Sequence, residues 1–260
     1  GHQLLGRPPV FSPRSAASAG SAATAHGDTF VSHKGVSFDG EGDFLTVPNF
    51  EYAADARFSI SLWFTKERCT QGTYEYLYSH HHDVSATLMY TRAFVNVYVA
   101  CESTGGGTSS HEGSIVRYDV QGDNGHEGMM DFKLHDAGAF DAITATWIHA
   151  MLVVTPDSMV AYEDGVRVAD KAYGYYLANA NARTNNAYPK PSKLNHRMSG
   201  LTLRTALYVG GRADRHSDRH FHGSVAGLAI MTGSISATHA KCIFLAGERS
   251  LPDLKAMDAK

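Results

Sequence analysis

Cysteine is almost missing from this chain of 260 residues: Cys69, Cys101 and Cys242 are the whole set, and an odd one. Small secreted scaffolds that rely on bridges carry even, dense sets, so a disulfide framework is excluded. One bridge between Cys69 and Cys101 stays open, and Cys242 is expected to be a buried free thiol. No apolar run approaches the ~18 residues needed to span a bilayer. Charge of one sign is lacking too. The formal net charge is −3, with 19% charged residues, which leaves no general pull toward nucleic acid or anionic membrane. No Asn-x-Ser/Thr sequon occurs, which argues against a heavily glycosylated surface protein.

What the chain does have is 43% hydrophobic residues, enough to bury a core without bridges or metal, and 25 glycines, which suit many turns. Gly1 to Gly27 contains no acidic residue and is rich in Ala, Ser, Gly and Arg. That composition is expected of a low-complexity arm (residues 1–28) left by a processed leader, which points to export or import into an organelle lumen without deciding between them. The remainder, residues 29–250, reads as one domain, with 251–260 as a tail.

Alternating apolar and polar positions dominate that domain. Val36 to Phe38 leads into Asp39-Gly40-Glu41-Gly42, and Asp43 to Val47 is expected to return as a hairpin partner, since Asp-Gly tolerates positive φ. Arg57 to Thr65 places Phe58, Ile60, Leu62 and Phe64 on one face and Ser59, Ser61 and Trp63 on the other. Further strands are expected at 74–79, 86–90, 93–100, 115–120, 144–154, 159–163, 166–169, 206–209 and 224–231. The stretch 121–141 reads as irregular. Ser236 is expected to cap a helix over Ala237–Ala246 that Gly247 ends. The fold class is therefore all-β: an antiparallel two-sheet sandwich with one short C-terminal helix.

Three ordered segments carry a resemblance: VSFDGEGDFLTV…FSISLWF (36–64), WIHAMLVVTPDSMVAYEDGVRVA (147–169) and LYVGGRADRHSDRHFHGSVAGLAIMTGSISATHAKCIFLAG (207–247). Together they resemble the laminin-G-like, concanavalin A-like jelly-roll superfamily, which includes pentraxins and legume-type lectins. The resemblance implies a jelly roll and, by analogy alone, a binding role. Relatives of this kind often hold Ca²⁺ near the first hairpin, where this chain offers Asp39, Glu41 and Asp43. It departs from them at Ala226-Gly227, where an acid is common.

Catalytic signatures are absent. The E-x-D-x-x-E strand of sandwich glucanases does not occur, nor does a G-x-S-x-G nucleophile elbow, so no enzyme is expected. Histidine is abundant, with 15 residues, and His216, His220 and His222 are candidate transition-metal ligands in a charged loop. Two stretches exceed what a sandwich needs, 101–141 and 171–204. The second holds Tyr173, Tyr175, Tyr176, Asn185 and Tyr188, chemistry suited to a protein interface or to a glycan. The expected function is a non-catalytic module that binds a glycan or protein partner through its loops. The alternative is an accessory structural subunit of a larger assembly, possibly at an organellar membrane, docked through the arm and the two insertions.

Overall fold

The computed structural model describes residues 24–26, 30–32, 35–48, 52, 56–66, 72–82, 93–102, 113–123, 126–133, 147–172, 174–175, 201, 203, 205–216 and 219–250. These form two antiparallel sheets and one helix. The eight-stranded sheet runs β1 (Thr24–His26), β4 (Phe44–Val47), β14 (Leu207–Val209), β6 (Tyr74–His81), β7 (Phe94–Glu102), β8 (Gly113–Gln121), β9 (His126–Lys133) and β13 (Gly174–Tyr175). The seven-stranded sheet runs β12 (Val166–Ala172), β11 (Ser158–Glu163), β10 (Ile148–Val154), β5 (Phe58–Lys66), β15 (His222–Thr232), β3 (Gly35–Asp39) and β2 (Phe30–Ser32). Helix α1 spans Ala237–Ser250. No helix among the described residues is long and apolar enough to cross a membrane.

Period-two alternation builds the core. Phe58, Ile60, Leu62 and Phe64 of β5 meet Val95, Val97 and Val99 of β7 and Val116, Tyr118 and Val120 of β8 in one buried cluster between the sheets. Ser59, Ser61 and Trp63 point the other way, as expected, yet they too are buried. Helix α1 lies over that side, with Phe244 stacked on Trp63 at 5.4 Å and 21°. Gly247 allows the close approach: a Cβ there would stand 2.4 Å from Trp63 Nε1. The Ser236 cap is present, its Oγ accepting the His239 N–H at 3.3 Å.

Four expectations need correction. Asp39–Gly42 is not a hairpin: β3 pairs with β15 and β2, β4 pairs with β14 and β1, so the turn carries the chain from one sheet to the other. The stretch read as irregular contains β9, fully in register with β8 from Gln121↔Glu127 to Ile115↔Lys133. Its Gly and Asp residues hid a strand that neighbouring strands stabilise by pairing. The helix passes through Gly247 to Ser250, because Gly247 serves packing and not termination. Cys242 is exposed, on the solvent side of the helix. The expected strand at 86–90, and Cys69, lie outside the described residues.

A buried ion pair joins the sheets: Lys66, at the end of β5, donates to Glu75 of β6. Glu75 Oε2 also accepts the His222 N–H at 2.9 Å, and the Lys66 ammonium lies 5.4 Å from the Phe221 ring centre. Satisfying the carboxylate from several directions is what makes such a pair tolerable in an apolar core.

Candidate functional site

The outer face of the eight-stranded sheet is unlike that of its partner. Alternation along β7 sends Phe94, Asn96, Tyr98 and Ala100 outward, and register sets Gln121, Asp119 and Arg117 of β8 beside the first three. On β6 a bulge between Tyr76 and Tyr78 turns both Leu77 and Tyr78 into the core. The bulge changes the parity of the strand. Tyr74 and Tyr76 therefore share the outer face with Ser79 and His81, although strict alternation would separate them.

Two groups result. Toward one end of the strands, His81 Nε2 meets Asn96 Oδ1 at 2.8 Å, and His81 stacks on Phe94 at 5.5 Å. Asn96 is fully buried, and among the described residues its Nδ2 has no hydrogen-bond partner. Toward the other end three tyrosines touch. Tyr76 stacks on Tyr98 at 4.6 Å and 15°, and Tyr74 meets Tyr98 edge-on at 6.1 Å. Burial, followed by the neighbouring Asp119 and Tyr76, raises the Tyr98 pKa well above the ordinary phenol value, so it stays a neutral hydroxyl.

A loop straps this second group. Gly210 opens it where a Cβ would meet the Phe38 ring at 2.3 Å, and the Phe221 N–H closes it on the Gly210 carbonyl at 2.8 Å. Inside, the Arg215 N–H returns to the Arg212 carbonyl at 2.9 Å, and the Arg219 N–H to that of His216 at 3.0 Å. The Ala213 N–H is pinned to Ser79 Oγ on β6 at 3.1 Å. Each arginine of the loop then lies over an aromatic ring of the sheet: Arg212 over Tyr76 at 5.7 Å, Arg215 over Phe44 at 5.8 Å and Arg219 over Tyr74 at 4.7 Å. Arg117 of β8 adds a fourth, 5.9 Å from the Tyr98 ring. Arg212 is further held by a two-point pair with Asp214, at 2.7 and 2.6 Å. Burial works against the Asp214 carboxylate, but the Arg212 hydrogen bonds and charge outweigh it and hold its pKa below the ordinary value.

The residues singled out from sequence fall differently. His216 is exposed in the loop, His220 is buried and stacked on Phe44 at 6.3 Å, and His222 opens β15. Burial lowers the His220 pKa despite nearby Asp39, Asp43 and Asp214. Asp39 is in register with His222, so the two sets of metal candidates share a corner of the sandwich. The carboxylates serve their own turn there: Asp39 Oδ1 accepts the Glu41 N–H at 2.7 Å, and Asp43 Oδ2 accepts the Asp39 N–H at 3.3 Å. Among the described residues no three His, Cys, Asp or Glu side chains converge as a metal set. Tyr173, Tyr176, Asn185 and Tyr188 lie outside the described residues. Tyr175 is placed only by its backbone, paired in β13 with His126 of β9.

Sequence reasoning missed the arginines. Their signal was a spacing of three and four residues among Gly, Asp and His, which reads as an ordinary solvated loop. One pair looks catalytic and is not placed to be so. Ser61 Oγ and His149 Nε2 are 2.8 Å apart, but both are buried beside Trp63 and Phe244. Among the described residues His149 Nδ1 has no hydrogen-bond partner and no carboxylate orients the ring, and burial lowers its pKa to about 4, too weak for a base at neutral pH.

No family model matches the chain, and no curated protein does. Solved structures do. The receptor-binding domain of botulinum neurotoxin D superposes with a TM-score of 0.56 at 8% identity, over 87% of this chain and 48% of that one. The botulinum neurotoxin serotype D ligand-binding domain in complex with N-acetylneuraminic acid gives 0.55 at 9%, over 86% and 46%. Domain 4 of AbnA, an extracellular arabinanase of Geobacillus stearothermophilus in complex with arabinotriose, gives 0.51 at 13%, over 85% and 87%. This chain thus spans just under half the length of the toxin domains. Identities this low establish likeness of fold and nothing more.

Proposed function

We propose that the chain is a non-catalytic binding module that recognises a glycan with the loop residues that cover its eight-stranded sheet. The observation that carries this reading is the pair Arg215, exposed, and Arg219, half-buried, lying over the rings of Phe44 and Tyr74 beside a small buried tyrosine cluster. Tyrosine and arginine supply broad contact area and directed donors at low entropic cost, which is why binding surfaces are rich in them. Two of the similar structures hold sugars, arabinotriose and N-acetylneuraminic acid, which supports a glycan over a protein partner.

The test is retention of the full chain on a panel of immobilised polysaccharides, beside Arg219→Gln and Tyr74→Ala. Retention on at least one polysaccharide, lost in both variants while near-ultraviolet circular dichroism is unchanged, is the expected result. Failure across the panel, with co-migration in a large assembly from source material, would replace this reading by the accessory-subunit one.

A further inference from the structure

We infer that two copies of this chain pair by exchanging their N-terminal strands, residues 24–32 of each closing the sandwich of the other. β1 and β2 follow each other in the chain, yet β1 is the edge of the eight-stranded sheet and β2 the edge of the seven-stranded sheet. Only residues 27–29 separate them, so the segment crosses one flank of the sandwich and covers β4 on one sheet and β3 on the other. Register sets Ala25 opposite Leu45 and Val31 opposite Val36. Val36 and Leu45 in turn line a small apolar crevice between the sheets, with Val209, Val225, Ala226 and Leu228. The segment thus shields two sheet edges and an apolar flank that would otherwise invite association.

Its attachment is light. β1 and β2 make three residue pairs apiece, each with one neighbour only. β3 is held firmly by contrast. It also pairs with β15, and Gly35 at its start packs so closely that a Cβ there would stand 2.8 Å from the Val225 carbonyl oxygen. The boundary between the two regimes falls at residues 33 and 34. Ser32 is paired with Gly35, so these two residues are the whole connection from β2 to β3. Two-residue hairpin connections favour Gly, Asn and Asp, because the turns that match strand twist need positive φ. Here the pair is His33-Lys34, side chains better suited to extended backbone. A chain running straight through 33–34 carries β2 away from its own β3 and onto that of a second copy, where the identical segment makes identical pairs. The exchange also reaches the proposed binding site. His26 of β1 is in register with Phe44, the ring beneath Arg215, so in the pair that border of the site comes from the second copy.

The experiment weighs the full chain by size-exclusion chromatography with light scattering over a range of concentrations, and traps the exchange as a disulfide. Thr24 is in register with Thr46. In a Cys242→Ser background, chains carrying Thr24→Cys are unfolded and refolded together with chains carrying Thr46→Cys, then oxidised. Expected are twice the mass of one chain, falling to that of one chain on dilution, and a covalent dimer in the mixture that neither variant forms alone. His33→Asn combined with Lys34→Gly suits the closed turn and should weaken the dimer roughly tenfold or more. The mass of one chain at every concentration would overturn the inference. A dimer without the covalent product, or one that the altered turn leaves as tight as before, would place the contact elsewhere and overturn it as well.

Discussion

The two sheets of this sandwich turn very different outer faces away from their shared core. On the seven-stranded sheet the outward residues Trp63, Met151, Val153 and Tyr162 are apolar and lie beneath helix α1 with Ala240 and Ile243. On the eight-stranded sheet the outward residues are Tyr76, Tyr98, Asn96, Asp119 and Arg117, met by a loop that brings charge. Inward residues are mostly apolar in both sheets, the Lys66–Glu75 pair apart. A sandwich needs only its inner faces to fold, so the outer faces show where each sheet has a further task. One task here is closure by a helix. The other is a buried polar and aromatic layer over which the arginines of the loop lie.

The comparison predicts unequal responses to substitution. Trp63→Ala should cost about 3–5 kcal/mol by urea unfolding, the range for deleting a large buried aromatic side chain. It should also free the helix, seen as faster amide exchange in 237–250. An effect below about 1 kcal/mol would mean that the helix-covered face is not a core at all.

Acidity sharpens the contrast next. Burial lowers the His149 pKa from 6.5 to about 4, so its contribution is present above pH 6.5 and lost as pH falls through 4. Glu163 behaves oppositely. Burial and then Asp164 raise its pKa from 4.5 to about 7, so its contribution is present below pH 4.5 and lost as pH rises through 7. Glu163→Gln should flatten the decline of stability between pH 4.5 and 7. His149→Gln should weaken the acid decline, only in part because His80, also lowered to about 4 by burial, keeps the same direction. Unchanged profiles in denaturant titrations from pH 4 to 8 would remove both residues from the account.

The smallest effect belongs to the loop. Arg215→Gly relieves the left-handed φ of 56°, and stability should rise by about 0.5–1 kcal/mol while polysaccharide retention falls. A loss of stability would show that the Arg215 side chain holds the loop and does not serve a ligand.

Much of the sandwich was legible before any coordinates. Phe58, Ile60, Leu62 and Phe64 announce their face by period alone, and β5, β10 and β11 follow from runs that only a sheet explains. What stayed hidden depends on partners distant in the chain. The turn Asp39–Gly42 has hairpin chemistry, yet turn residues do not choose whether the chain returns beside itself or crosses to the other sheet. β9 has weak intrinsic preference and exists through β8. The bulge at Leu77 is invisible in Tyr-Glu-Tyr-Leu-Tyr, though it decides which tyrosines reach the site. The arginines could be counted in the sequence, but the rings they cover come from β4 and β6, over 130 residues earlier.

The placement of β15 also has a consequence for biosynthesis. Residues 222–232 insert between β5 and β3, strands made far earlier, and form an interior strand of the seven-stranded sheet. Until they leave the ribosome, β5 and β3 each expose an unpaired edge beside large apolar side chains. The hydrophobic interior cannot close until this later strand is made, a window in which holding chaperones matter.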